Sequence, residues 1–426
     1  MPSHLTCSTY QIKFTFDMTD FTVKEPSQQM GMLVSTAAIF SMLAYSFYRY
    51  LLPTPIPGIP YNEDGTKSLF GDIPRLQKES GDNVLGWMIS QARRHGSPIV
   101  QFFLGPFRKP IILITDFREG QDILMRRKVF DRSDFAISTL KGEARSFHIN
   151  LKTGPEWKAY RRLLQDLMTP KFLHGVAAPN IYKTSVRLLN LWKTKAKIAA
   201  GKSLNAEMDI FYAALDAVFD FGFGDAVQDR ALTPQTNILP SMSECELQRL
   251  RKAAGEKESV GFAVAPISPA FEAVLGSVDN ITGVASTGVP ALAWWLLGLK
   301  PSVRRMRGVM DAFLKDQILG AARRYEEQEG VRNDDYVKSA IDLMVQRKGA
   351  FAKKDERNPV FWRNTMRDET LGFNVAGHDT TSTTLCLGVK FLSDNPNCQG
   401  RCIYGSEQVY CRFGLNDIQA RPRAAY

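Results

Sequence analysis

The spacing of apolar and polar positions predicts one helix longer than any other in the chain. Asn358-Pro359 reads as its start, with Pro at the first helical position, and Asp394-Asn395-Pro396 as its stop. Residues 359–393 would span roughly 50 Å as a helix. Leu371, Phe373, Val375, Leu385, Leu387, Val389, Phe391 and Leu392 leave little polar face around the centre, so the middle is expected to be buried. A second apolar run, residues 31–48, carries no charge and is closed by Arg49. It reads as a single membrane anchor at the short end of the usual length. A cleaved signal peptide is the rival reading, and the polar lead before the run argues against it. Pro53-Thr54-Pro55-Ile56-Pro57-Gly58-Ile59-Pro60 cannot continue a helix and gives a stiff extended spacer.

Shorter patterns fill the rest. Residues 99–104 and 111–114 alternate like paired strands around a turn at 105–110, and a helix follows from Asp116 through Arg126. Pro155 opens a helix that Thr169-Pro170 closes. Residues 188–199, 208–221, 244–258 and 303–329 read as helices, with a Gly-rich turn at 221–225. Residues 262–299 form an apolar region carrying Trp294-Trp295-Leu296-Leu297. The fold class is therefore mainly α with a small β region (α+β). No internal repeat or long linker interrupts residues 61–398, so one large domain is expected there. It follows a polar tail (1–29), the anchor (30–52) and the proline segment (53–60). A tail at 399–426 loses hydrophobic periodicity.

Composition narrows the function classes. Of 426 residues, 54 are basic and 44 acidic, a net charge of +10, and the 44% hydrophobic content can build a sizeable core. The basic balance is diffuse, with no Lys/Arg run interleaved with aromatics, which argues against nucleic-acid binding. It suits an anionic membrane face or an acidic protein partner. Cys7, Cys245, Cys386, Cys398, Cys402 and Cys411 form no disulfide framework. The last three have metal-like spacing but lack a fourth ligand, and His4, His95, His148, His174 and His378 show no ligand spacing, so no metal site of the chain's own is expected.

Two segments carry chemistry. Ala376-Gly377-His378-Asp379-Thr380-Thr381 places an acid, two hydroxyls and a glycine inside the long helix, against helix propensity. Ala376 and Thr380 share a face. Gly377 beside them has no side chain to hold a flat ligand away, and the Thr380 hydroxyl can bond back to the Ala376 carbonyl. Such a window suits a small polar ligand such as dioxygen and the delivery of protons to it. The plainer alternative is a buried helix whose Ser and Thr bond to their own backbone. In the second segment, Trp157 and Arg161 lie four apart on one helical face. An indole N–H and a guanidinium together suit a carboxylate. The alternative is a cation–π pair, or a half-buried Trp covered by an Arg stem.

Taken in order, the anchor, proline segment, hairpin, Trp-x-x-x-Arg pair and Ala-Gly-x-Asp-Thr-Thr helix resemble the cytochrome P450 family. The likeness is to the membrane-bound microsomal type of eukaryotes, fungi among them, and covers roughly residues 52–399. The resemblance implies a haem, with Trp157 and Arg161 on a propionate and Ala376 and Gly377 beside the ring. It gives Thr380 a hydrogen bond to the oxygen ligand and Asp379 a proton relay. It implies a lipophilic small-molecule substrate of secondary metabolism, electrons from NADPH-cytochrome P450 reductase, and single-pass residence in the endoplasmic reticulum membrane with a cytosolic catalytic domain. The chain departs from the family after the long helix. There is no Glu-x-x-Arg, since Tyr410 stands where Glu407 would need its Arg, and no Phe-x-x-Gly-x-Arg-x-Cys loop to bind iron. The expectation is an incomplete P450 fold, truncated before those elements. The alternative function is a catalytically inactive membrane-anchored remnant.

Overall fold

The computed structural model describes residues 26–81, 83–105, 109–240, 242–253, 259–328 and 337–401. The chain divides into two units between Phe130 and Asp131.

The first unit begins with α1 (Pro26–Leu51), whose apolar side chains are exposed from Met30 onward. Residues 30–51 are long and apolar enough to cross a membrane. α2 (Glu63–Thr66), α3 (Ile73–Ser80) and α4 (Val84–Arg94) precede an antiparallel hairpin of β1 (Ile99–Phe102) and β2 (Ile111–Ile114), registered Ile99 to Ile114 and Phe102 to Ile111. β1 is shorter than the apolar run predicts. Phe103 turns away to Asp72, donating its N–H to the carboxylate (2.9 Å) and accepting the Asp72 N–H at its carbonyl (2.6 Å). α5 (Phe117–Met125) starts where expected because Asp116 caps it, its Oδ1 accepting from the N–H groups of Arg118 and Glu119.

The proline segment lies along the other edge of β1. The Gln101 N–H donates to Pro60 O at 2.9 Å. The Gln101 side chain, fully buried, donates from Nε2 to Ile56 O (2.9 Å) and Ile59 O (2.7 Å), and its Oε1 accepts from Ile56 N–H (2.9 Å).

The second unit is helical: α6 (Asp134–Leu140), α7 (Pro155–Arg161), α8 (Pro170–Phe172), α9 (Ala178–Ala199), α10 (Glu207–Phe223), α11 (Leu232–Asn237), α12 (Glu244–Ala253), α13 (Pro269–Thr287), α14 (Pro290–Leu299), α15 (Pro301–Glu327), α16 (Ala340–Lys354) and α17 (Asn364–Asp394). α10 is the core helix. Phe219 meets Phe271, Phe223 and Phe313 with ring centroids 4.4, 5.3 and 5.6 Å away. Three buried acids on this helix each tie down a neighbour. Asp209 pairs with Lys195 (2.7 Å) and takes the Trp192 Nε1–H. Asp216 accepts the Ala231 and Leu232 N–H groups at the start of α11. Asp220 pairs with Arg187 and Arg230.

Several expectations need correction. α17 begins at Asn364, not Pro359, because Phe361 turns into the core edge-on to Tyr325 and residues 359–363 stay non-helical, with Arg363 extended. Its first half is buried, but Leu385, Leu387, Val389 and Phe391 are exposed, contrary to the expected burial. No described element covers them. The helix from Pro155 stops at Arg161 rather than Thr169. Beyond it a turn buries Leu163 and Leu167 and brings Asp166 to Arg347 of α16. α10 runs through Gly222 to Phe223, and only Gly224 (φ +67°) makes the turn. α9 starts ten residues earlier than the pattern shows, at Ala178 rather than residue 188. α16 is unpredicted. It is opened by Ser339 and Asp342, whose hydroxyl and carboxylate bond each other (2.7 Å) across the first turn.

Candidate active site

α7 and α17 bring most of the sequence-predicted residues to one cavity of about 650 Å³, in the size range of cofactor pockets. Trp157 and Arg161 come from α7; Ala376, Gly377 and Thr380 come from α17. Arg161 lies over the Trp157 ring at 5.1 Å, and Arg132 approaches the same ring at 5.5 Å. The cation–π alternative is therefore present as geometry, yet it leaves the indole nitrogen unexplained. Trp157 Nε1 is buried with no hydrogen-bond partner, a donor lost at a cost of roughly 1–3 kcal/mol unless a ligand takes it.

On α17, Thr380 Oγ1 donates to Ala376 O at 2.8 Å, as its spacing predicts. Gly377 lines the cavity, but its glycine has a second cause. A Cβ there would stand 3.3 Å from the Val218 side chain of α10, so that side chain would have to give by a few tenths of an ångström. Asp379 does not line the cavity. Its carboxyl makes no hydrogen bond or ion pair among the described residues, and burial pushes it above the usual carboxylate range. His378, between Gly377 and Asp379, faces away. It is fully buried against Phe211 of α10 with both ring nitrogens unpartnered, and burial holds its pKa down to about 4.

The pattern of residue types did not single out the wall contributed by residues 146–148. Phe147 and His148 line the cavity. Their backbone is pinned by two acids on α17: Asp368 accepts Ser146 N–H (2.7 Å), and Glu369 accepts His148 N–H (2.7 Å) and contacts His148 Nδ1 (2.8 Å). Glu369 is fully buried, and desolvation raises its pKa against the lowering effect of His148. Adjacent acids beside the apolar stretch from Leu371 to Val375 were the available signal, since buried carboxylates must find donors elsewhere in the chain.

The cytochrome P450 family model matches residues 65–422, most of the chain. The chain belongs to the cytochrome P450 family. Among curated P450s it is similar to the cytochrome P450 monooxygenase xilC of Penicillium crustosum, 35% identical over 365 residues, which is 85% of this chain and 61% of that protein. It is also similar to the cytochrome P450 monooxygenase TRI13 of Fusarium sporotrichioides, 34% identical over 84% of this chain and 61% of that protein. The chain thus spans about three fifths of the length of these relatives.

A P450 implies a haem, and the cavity's donor set fits one along an edge. The unpartnered Trp157 N–H and the Arg161 guanidinium suit a propionate carboxylate. The small residues Ala376 and Gly377 leave room beside a flat ring. The described cysteines Cys245, Cys386 and Cys398 do not line the cavity, while Cys402 and Cys411 lie outside the described residues, as do the tail calls beyond residue 401. No described residue therefore offers an axial thiolate there.

Proposed function

We propose that this P450 chain carries the propionate-binding and oxygen-side parts of a membrane-anchored monooxygenase acting on an apolar small molecule. The reaction would place one oxygen atom of O2 in a substrate C–H bond and release the other as water, with two electrons from NADPH through a partner reductase. The observation that carries this reading is the buried, unpartnered Trp157 Nε1 on a cavity shared with Arg161 and the Ala376–Thr380 window. Haem, when bound, supplies the redox and oxygen chemistry. Trp157 and Arg161 would hold its carboxylate and fix its rotation. Thr380 Oγ1, bonded to Ala376 O at rest, would present a hydroxyl to the ligand side. The Asp379 carboxyl, raised by burial and otherwise uncommitted, would hold a proton for that hydroxyl. The exposed apolar α1 supports a bilayer anchor with the rest of the chain cytosolic, at the endoplasmic reticulum. The fungal relatives are monooxygenases of the same class, and a lipophilic substrate of secondary metabolism is the reading the family resemblance supports.

One observation favours a second reading, a membrane-bound chain that takes haem without catalysis: the described cavity wall carries no cysteine. The two are separated by loading the purified chain with hemin, reducing it and adding carbon monoxide. A Soret band at the thiolate position supports the monooxygenase. A band at the histidine or unligated position supports the silent chain.

A further inference from the structure

We infer that β2 is an open sheet edge through which two copies of this chain pair, antiparallel, with a two-fold axis at Leu113. The sheet has two strands, so each strand has one outer edge. On β1 that edge is taken: Gln101 donates its N–H to Pro60 O and bridges to Tyr61. In an antiparallel ladder a residue that bonds outward stands opposite one that also bonds outward, and Gln101 is registered to Ile112. Thr115 donates back to Pro98 O at 2.8 Å, which makes Ile111, Leu113 and Thr115 the inward-bonding positions. Ile112 and Ile114 therefore turn their N–H and C=O groups away from β1. No other described group takes them.

Nothing in the strand blunts this edge. Ile111-Ile112-Leu113-Ile114 carries no charge and no proline, and its one-to-one register leaves no bulge. Ile111 and Ile112 are 37% and 41% exposed, and Phe117 at the start of α5 is 78% exposed.

Complementarity selects a second copy as the occupant. With Leu113 on the axis, Ile112 N–H of one copy meets Ile114 O of the other, and Ile114 N–H meets Ile112 O. Asp116 N–H reaches Pro110 O, and Pro110 has no N–H to leave unpaired. The side chains that meet across the axis are aliphatic, and mostly β-branched, which suits cross-strand packing. Charge fixes the direction. Lys109 precedes the strand and Asp116 follows it, so antiparallel pairing brings the basic end of each strand to the acidic end of the other. Parallel pairing would set like ends together. Asp116 commits Oδ1 to the cap of α5 and keeps Oδ2 for this contact. Residues 30–51, long and apolar enough to cross a bilayer, would confine the copies to one plane.

The test uses the full chain in detergent micelles, its protein mass read by light scattering through a dilution series. The wild-type chain is expected to reach a dimer and to stop there, because one edge per chain closes at two copies. Ile112→Pro removes an outward N–H and leaves the β1 ladder intact, and it is expected to weaken the dimer about 10-fold or more. A cysteine pair reads the register. Residue 113 meets its own copy as a non-hydrogen-bonded pair, with Cα atoms about 4.5 Å apart. Leu113→Cys is therefore expected to give a cross-linked dimer on mild oxidation, above the wild-type background, and Thr115→Cys is not. If Ile112→Pro fails to fold, the cysteine pair decides alone. A wild-type chain that stays monomeric at every concentration overturns the inference, as do assemblies larger than two. A dimer that Ile112→Pro leaves unchanged, as pairing through α1 would give, overturns it too. So does cross-linking that is equal at the two cysteine positions or absent from both.

Discussion

Burial shifts two residues of the second unit in opposite directions, an acid upward and a histidine downward. Asp216 lies fully buried, and desolvation raises its pKa to about 6 despite the two N–H bonds it accepts from Ala231 and Leu232. A raised acid favours the folded state when protonated, so its contribution is present below the ordinary value near 3.8 and is lost as pH rises through 6. His378 is depressed to about 4, so its contribution is present above 6.5 and is lost as pH falls through 4. Each amounts to about 3 kcal/mol at the limit, and in the wild-type chain they oppose each other between pH 4 and 6.5. Asp216→Asn should therefore lose stability relative to wild type on going from pH 7.5 to 4.5, and His378→Leu should gain it. Urea midpoints at the two pH values read both, and profiles parallel to wild type would refute the assignment. At this scale the sequence was legible where one helix carried the whole pattern: Trp157 with Arg161, and Ala376 with Thr380, follow from a spacing of four. Glu369 with His148 was not legible, because the partners are 221 residues apart and only the fold joins them.

The contact of α10 with α17 shows what an element demands that its own sequence hides. Glycine costs a helix up to about 1 kcal/mol relative to alanine, so Gly377→Ala should stabilise an isolated α17. Here the added methyl meets Val218 at 3.3 Å. Gly377→Ala is therefore expected to lower stability by about 1–2 kcal/mol, with Val218→Ala recovering part of the loss in the double variant. Thermal melts of the four proteins decide it, and a Gly377→Ala chain at or above the wild-type melting temperature would show that the Val218 side chain gives freely. Helix starts followed local chemistry at the Asp116 cap and at Pro155 in the first helical position. They failed where a side chain outweighed it: Pro359 is competent to start a helix, but Phe361 has more to gain from the core. The run at residues 385–391 was read correctly as apolar and wrongly as buried. Leu385 and Val389 fall on one side of the helix and Leu387 and Phe391 on the other, so the run favours cover all round and is silent about what supplies it.

For the whole molecule, family membership and the mainly α class with one small hairpin were legible because they rest on the order of several motifs rather than on any one. The bracket around Gln101 was not, because nothing in a strand sequence marks one polar residue as turned toward a proline segment. Gln101→Leu is expected to speed hydrogen exchange at the Ile56 amide about 10-fold or more by removing its acceptor and two further bonds. An unchanged rate would show that proline stiffness alone holds residues 53–60. Four of those eight residues are Pro and supply no N–H, so the segment offers twice as many backbone carbonyls as backbone donors. Holding both Ile56 N–H and the carbonyls requires one side chain that accepts and donates, which a carboxamide does and neither a carboxylate nor an ammonium can. Residues 56–60 are thus fastened to β1 through one residue, so the strand's Gln101 fixes where the chain leaving α1 arrives at the hairpin.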